Sequence, residues 1–307
     1  GAWIDAVRSR CATFGIAPFT NYLIQYSSDS GTTWTAFSRT ASTATSGSVT
    51  GLTNGTAYHF RVAHVSAGTT GTYSDPSPAY IPFTSPSAPL SLTGERGDTQ
   101  IDLTWFAPDS DNGRDISDYV VQFSSNNGST WTTFTDGVST TTSTTVTGLT
   151  NGTSYLFRVA AVNLAGTGTY SANSSALIPA TVPNAPTALT ATFGSTSVAL
   201  AWTAPSTGGT AITDYVVQYS TDNSTWTTFS DTFSTTASVT VTGLTNYSTY
   251  YFRVAAINAV GTGAYSSSVT SVPGVSPGAP TLTTPTPGNT QVALSWTASA
   301  ATAASIT

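Results

Sequence analysis

A block of six residues, Tyr58-His59-Phe60-Arg61-Val62-Ala63, returns as Tyr155-Leu156-Phe157-Arg158-Val159-Ala160 and again as Tyr250-Tyr251-Phe252-Arg253-Val254-Ala255, at steps of 97 and 95 residues. Two other blocks keep the same period. Gly51-Leu52-Thr53-Asn54 recurs as Gly148-Leu149-Thr150-Asn151 and Gly243-Leu244-Thr245-Asn246, and Ile101-Asp102-Leu103-Thr104-Trp105 recurs as Val198-Ala199-Leu200-Ala201-Trp202 and Val292-Ala293-Leu294-Ser295-Trp296. Several distinct blocks sharing one period exclude chance and define a tandem array. Units of this size bury enough surface to fold without disulfides.

Within each unit the alternation has period two. In Ile101–Trp105 the apolar residues take every second place, and Tyr155, Phe157, Val159 and Ala161 continue one face along a second segment, as half-buried strands require. Clusters at Ser87-Ala88-Pro89, Asn184-Ala185-Pro186 and Gly278-Ala279-Pro280 open the units. A first or edge strand can spare the N–H that proline lacks. Ser, Thr, Gly, Asn and Val dominate the chain, a mix that suits strands and tight turns and suits helices poorly.

These blocks resemble tandem fibronectin type III domains, of the type found in bacterial extracellular arrays, over roughly residues 16–307. The resemblance implies an all-β linear array of tandem Greek-key β-sandwiches, seven strands to each complete unit. The units expected are 1–84, incomplete, with strands C to G and an atypical stretch 1–19; 85–181 and 182–275, both complete; and 276–307, strands A and B of a further unit. It further implies that Trp105, Trp202 and Trp296 lie on strand B in the structural core. Tyr58, Tyr155 and Tyr250 would open strand F as the tyrosine corner, tied to the preceding turn, with Leu52, Leu149 and Leu244 plugging that turn.

The phase of the repeat bears on the two ends. Thr307 stands at the phase of Thr213 and Thr20, so residues 277–307 supply strands A and B alone, while 20–84 supply C to G. Residues 1–19, with Trp3, Arg8, Arg10, Cys11 and Phe14, match no A–B pattern. Half a sandwich leaves an apolar face and an edge unpaired, and a lone A–B hairpin is not stable. Two readings follow. The A–B pair of one subunit completes strands C to G of the next, which is strand addition by a non-closing contact that builds a filament. Alternatively, the chain is a window of a longer covalent array. The start at Gly1, without Met or a signal-peptide pattern, is expected of a processed product or a segment.

Charge narrows the partners. All eight basic residues are Arg, Glu95 is the sole Glu, and the net charge is −6; nucleic-acid binders present clustered Lys and Arg. Charged residues make up 7% of the chain, against about 25% in ordinary globular domains, which leaves a neutral, hydroxyl-rich surface. No apolar run is long enough to span a bilayer. Cys11 is the only cysteine, so no intrachain disulfide can form. An extracellular or cell-surface location is expected.

No catalytic, cofactor-binding or metal site is expected. The two histidines, His59 and His64, lie five apart on one strand and face opposite ways, and Leu156 and Ala161 replace them in the next unit. Arg96-Gly97-Asp98 falls in an A–B turn, where the matching turns read Gly194-Ser195-Thr196 and Gly288-Asn289-Thr290. The acidic run Asp109–Asp115 resembles a calcium loop but has Val120 where the closing Glu belongs, so it reads as a solvated B–C loop. Asn-X-Ser/Thr sequons stand at Asn54, Asn127, Asn151, Asn173, Asn223 and Asn246. One constellation recurs in register: Trp34, Trp131 and Trp226 precede Arg61, Arg158 and Arg253 by 27 residues each. Stacked in cation–π pairs, these form a stripe for local packing, for subunit contacts or for polysaccharide. The expected function is that of a structural repeat protein of a bacterial extracellular or cell-surface fibre, contacting itself head to tail or through neighbouring repeats. Two alternatives remain: an adhesive or carbohydrate-binding array, or a spacer of a larger secreted enzyme.

Overall fold

The structure, a computed structural model, describes residues 19–276 and 278–297. Expectations for residues 1–18 and 298–307 lie outside the described residues. The chain gathers into two compact units, one holding residues up to Gly94 with Leu103–Thr145 and Tyr155–Ala176, the other holding Glu95–Asp102, Val146–Ser154 and the residues from Leu177 on.

Among the described residues all regular elements are strands, and they fall into the repeat. The first repeat has β1 (Phe19–Ser27), β2 (Thr35–Ala36), β3 (His59–Ser66) and β4 (Thr69–Thr70), in one sheet of order β2-β1-β3-β4. The second has β5 (Leu90–Gly97), β6 (Gln100–Phe106), β7 (Asp118–Ser124), β8 (Thr132–Thr133), β9 (Ser143–Val146), β10 (Leu156–Asn163) and β11 (Gly166–Thr167). These form a sheet β5-β6-β9 and a sheet β11-β10-β7-β8. The third repeats this with β12 (Thr187–Gly194), β13 (Ser197–Thr203), β14 (Ile212–Ser220), β15 (Thr227–Thr228), β16 (Ser238–Thr242), β17 (Tyr250–Asn258) and β18 (Val269–Ser271), as β12-β13-β16 and β15-β14-β17-β18. Beyond it lie β19 (Thr281–Leu282), β20 (Thr286–Gly288), β21 (Gln291–Ala293) and β22 (Trp296–Thr297), paired β19-β22 and β20-β21.

The period-two pattern sets which side chains go inside. Along β13, Val198, Leu200 and Trp202 are buried while Ser197, Ala199, Ala201 and Thr203 are not. They join Tyr215, Val217, Val241, Leu244, Tyr250, Phe252, Val254 and Ala256 in one core cluster. The tyrosine hydroxyls close the corner: Tyr58 Oη accepts the Thr53 N–H and Tyr250 Oη the Thr245 N–H, both at 3.1 Å. Serines from the final segment of each repeat guard strand F. Ser171 Oγ accepts the Val159 N–H and Ser174 Oγ the Phe157 N–H, so β10 leaves no open ladder for a foreign strand.

At three places the first and last segments depart from the complete repeats among the described residues. Trp296 is not in a core: it is 62% exposed, against 5% for Trp105 and 8% for Trp202. Residues 46–50 of the first repeat, at the phase of β16, form no strand, so that repeat lacks strand E among the described residues. Leu52 is half-buried where Leu149 and Leu244 are buried. In the complete repeats strand B covers the C–F sheet and pairs with strand E; β13 pairs with β16 from Ser197 opposite Thr242 to Ala201 opposite Ser238. Among the described residues no B strand lies beside residues 46–50 and no C–F sheet lies against the pair at 278–297.

Candidate functional site

Among the described residues two apolar faces stand open. On the first repeat, Tyr22, Ile24, Phe60 and Val62 line an open apolar groove of about 490 Å³, walled by Arg39, Ala44, Thr45, Ser46, Gly47 and Val49. Their counterparts in the third repeat, Tyr215, Val217, Phe252 and Val254, lie in a closed core. On the 278–297 segment, Val292, Leu294 and Trp296 stand exposed, whereas Val198, Leu200 and Trp202 at the same phase are buried. Among the described residues the first face has no B strand over it, and the second is a B-type strand with no core against it.

The aromatic stripe is more elaborate than the Trp–Arg spacing implied. Arg61 Cζ lies 4.1 Å from the Trp34 ring centroid on one side and 4.4 Å from that of Tyr73 on the other. Arg158 lies between Trp131 and Tyr170, each at 4.2 Å, and Arg253 between Trp226 at 4.1 Å and Tyr265 at 4.2 Å. Each Arg also donates twice to a Gln on the neighbouring strand: Arg61 to Gln25, Arg158 to Gln122 and Arg253 to Gln218, at 2.6–2.9 Å. Sequence reasoning missed the Gln and Tyr members. The constant spacing was present, since Tyr73, Tyr170 and Tyr265 each follow the Arg by 12 residues. With both faces of the guanidinium covered, one face of each Trp is occupied as well. At about 0.5–1 kcal/mol per exposed cation–π contact, the stack stiffens the C–F sheet.

Two joints between repeats share one construction. At the first, Asn163 Nδ2 donates to the carbonyls of Thr84 in the connecting segment and Asp111 in the B–C loop, both at 2.8 Å. At the second, Asn258 Nδ2 donates to Thr181 and Thr207, again at 2.8 Å. The connecting segment returns a bond in each case, from Thr84 N–H to Asn112 O and from Thr181 N–H to Gly208 O. Glycines meet across the joint because nothing larger fits. A Cβ on Gly113 would lie 2.6 Å from Gly55 N, and one on Gly209 would lie 2.7 Å from Gly152 N.

The remaining candidates are occupied in turns. Asp98 of the Arg-Gly-Asp tripeptide accepts Asn151 Nδ2 at 2.7 Å. Asp111 Oδ1 accepts the Gly113 N–H. His59 Nδ1 lies 2.8 Å from the Ser77 carbonyl, and no group of three or more His, Cys, Asp or Glu that could hold a metal occurs among the described residues.

Among the described residues, the turns between β1 and β2 and between β14 and β15 carry carboxylates held below the usual range. The Thr33 hydroxyl and N–H, with the Ser27 hydroxyl, hold the Asp29 carboxyl down to about 2. The N–H groups of Thr225 and Ser224 and the Ser220 hydroxyl hold Asp222 well below the usual carboxylate range. In the second repeat the same turn uses neutral Asn126, which accepts from Ser124 and Thr130. A carboxyl lowered on folding adds stability above its unfolded pKa and loses it as pH falls through the folded value. The expected outcome is that the Thr33 and Thr225 amide resonances hold steady on acidification to pH near 4 and shift only well below it, while those of Thr130 stay fixed throughout. Shifts centred on the ordinary Asp value of about 3.9 would refute this.

Comparison with known proteins agrees with this architecture. The profile described as "Fibronectin type III domain" matches residues 14–80, 85–176 and 184–272. Human Myomesin-2 is 33% identical over 226 residues, 70% of this chain and 15% of that protein. Titin of Drosophila melanogaster is 32% identical over 219 residues, 67% of this chain and 1% of that protein. Protein sidekick-1 of Gallus gallus is 43% identical over 90 residues, 28% of this chain and 4% of that protein. The chain thus spans at most 15% of the length of these relatives.

Proposed function

Because the chain belongs to the fibronectin type III family, we propose that it is a structural repeat protein of an extracellular or cell-surface fibre, extended end to end by strand complementation between copies. The observation that carries this reading is the matched pair of faces that stand open among the described residues. In the third repeat β13 lies antiparallel to β16 with Val198 opposite Val241 and Leu200 opposite Val239, and the Trp202 N–H donates to the Ala237 carbonyl. Moved to the corresponding phases, Val292 of one copy falls opposite Val49 of the next, and Leu294 opposite Gly47. The Trp296 N–H then reaches the Thr45 carbonyl. Trp296 covers the groove above Ile24 and Phe60, as Trp202 lies over the core of its own repeat. A buried Trp removes about 150–250 Å² from water, so this one residue contributes several kcal/mol at about 25 cal/mol/Å².

The contact joins two different patches, so each added copy presents the same two faces again and the assembly grows as a line. The interlocked joints suit a load-bearing role, in which each repeat touches only its neighbours. The covered Trp faces of the stripe favour packing over stacking against polysaccharide. Among the described residues no helix is long and apolar enough to cross a membrane.

The 307-residue chain is expected to form concentration-dependent oligomers in sedimentation velocity and unbranched filaments by electron microscopy. Trp296→Ala is expected to remain monomeric with its complete repeats folded. Wild-type chain that stays monomeric at every concentration overturns complementation between copies.

A further inference from the structure

We propose that Arg39 is the residue that receives the tryptophan of the incoming copy, through a cation–π contact with Trp296 that the complete repeats do not contain; this rests on the complementation reading above. The position is fixed by phase. Arg39 follows Trp34 by five residues, as Asp136 follows Trp131 and Asp231 follows Trp226. The three local frames agree: the N–H two residues before each bonds to the facing strand, Phe37 to Ile24, Phe134 to Val121 and Phe229 to Val217, all at 2.9 Å.

In the complete repeats this position borders the core tryptophan. Asp136 lines a small cleft of about 170 Å³ with Trp105 and Tyr119. Asp231 lines one of about 180 Å³ with Trp202 and Tyr215. In the first repeat Arg39 lines the open groove with Tyr22, the counterpart of those tyrosines. A strand pair seated there in the register of β13 therefore brings its tryptophan to a guanidinium instead of a carboxylate.

The incoming segment leaves little else for that cation to meet. Residues 278–297 hold no charged side chain, and Trp296 is their sole aromatic. Neither an ion pair nor a like-charge clash is available, and the indole face is the group that attracts a guanidinium. The exchange of carboxylate for cation gives the groove of the first repeat an attraction for an indole face that the clefts of the complete repeats lack.

The test is a double-mutant cycle on the intact 307-residue chain, with the association constant read by sedimentation velocity. Arg39→Gln, which keeps most of the stem and loses the charge, is expected to weaken association about fivefold to tenfold, and Arg39→Lys less than threefold. Combined with Trp296→Phe, the Arg39→Gln loss is expected to shrink, because the weaker ring leaves less attraction to remove. Circular dichroism checks that each variant keeps its β content. If wild type associates and Trp296→Ala blocks it, yet Arg39→Gln stays within twofold of wild type or adds fully to Trp296→Phe, the Arg39 contact is overturned and complementation stands. If wild type does not associate, both fall.

Discussion

Trp202→Ala is expected to abolish cooperative folding of the third repeat in the 307-residue chain while the second repeat stays folded. Trp202 is buried among Val198, Leu200, Tyr215, Tyr250 and Phe252, with its ring edge-on to Tyr215 at 5.0 Å. Large-to-small changes of this kind cost about 3–5 kcal/mol, and a whole domain holds only about 5–15 kcal/mol. Hydrogen exchange reads the outcome by strand: amides of β13, β16 and β17 lose protection and those of β10 keep it. Trp202→Phe separates packing from hydrogen bonding. The Trp202 Nε1 donor is buried with no partner, a state that costs about 1–3 kcal/mol. Phenylalanine loses apolar area but also removes that donor, so the Phe variant retains a cooperative third repeat. Equal damage from Ala and Phe would show that indole-sized volume, and not apolar filling, is what the site requires.

The repeat and its strands were legible because burial in a sandwich is written locally, at period two, three times over. Val198-Ala199-Leu200-Ala201-Trp202 announces one buried face by itself. Val292-Ala293-Leu294-Ser295-Trp296 carries the same pattern, yet its side chains are exposed. Alternation states which face seeks cover, and only tertiary structure states whether cover is there. Strand E of the first repeat is not formed at Ser46-Gly47-Ser48-Val49-Thr50, where Gly47, a poor strand former, stands at the phase of Thr144 and Val239.

The aromatic stripe was half legible. The 27-residue spacing gave the Trp–Arg pairs, but the Tyr on the outer side of each guanidinium comes from the irregular segment after strand F, where period-two reasoning has no hold. Gln25, Gln122 and Gln218 are long polar side chains on strand C that look like ordinary surface until the Arg across the ladder is placed. The joints were least legible. Asn163 and Asn258 end β10 and β17, and their carbonyl partners belong to segments about 50 and about 80 positions away in the chain.

Gly209→Ala opens the joint between the second and third repeats without unfolding either. Gly209 has φ +103, and an added Cβ would lie 2.7 Å from Gly152 N, 2.9 Å from Pro179 O and 3.1 Å from Asn151 Cβ. Two of these neighbours are backbone atoms, which no rotamer change can clear, so the B–C loop must lift off the E–F turn. The bond from Thr181 N–H to Gly208 O, 2.7 Å long, then loosens. A lost hydrogen bond of about 0.5–1.5 kcal/mol, added to about 1–2 kcal/mol for a side chain at left-handed φ, lies below what unfolds a domain. Gly243→Ala supplies the control: its φ is +77 and nothing lies within 4 Å of the added carbon, so it carries the conformational strain without the collision. Exchange of the Thr181 amide is expected to rise at least tenfold in Gly209→Ala and to stay near wild type in Gly243→Ala, with core amides of β13 and β17 protected in both. Equal exchange in the two variants would mean that the glycine serves the turn and not the joint. At the phase of Gly152 the third repeat has Tyr247, held at φ +65 with its N–H on the Pro273 carbonyl. A tyrosine there excludes the Gly-to-Gly approach, so the connection after the third repeat is built differently from the two before it.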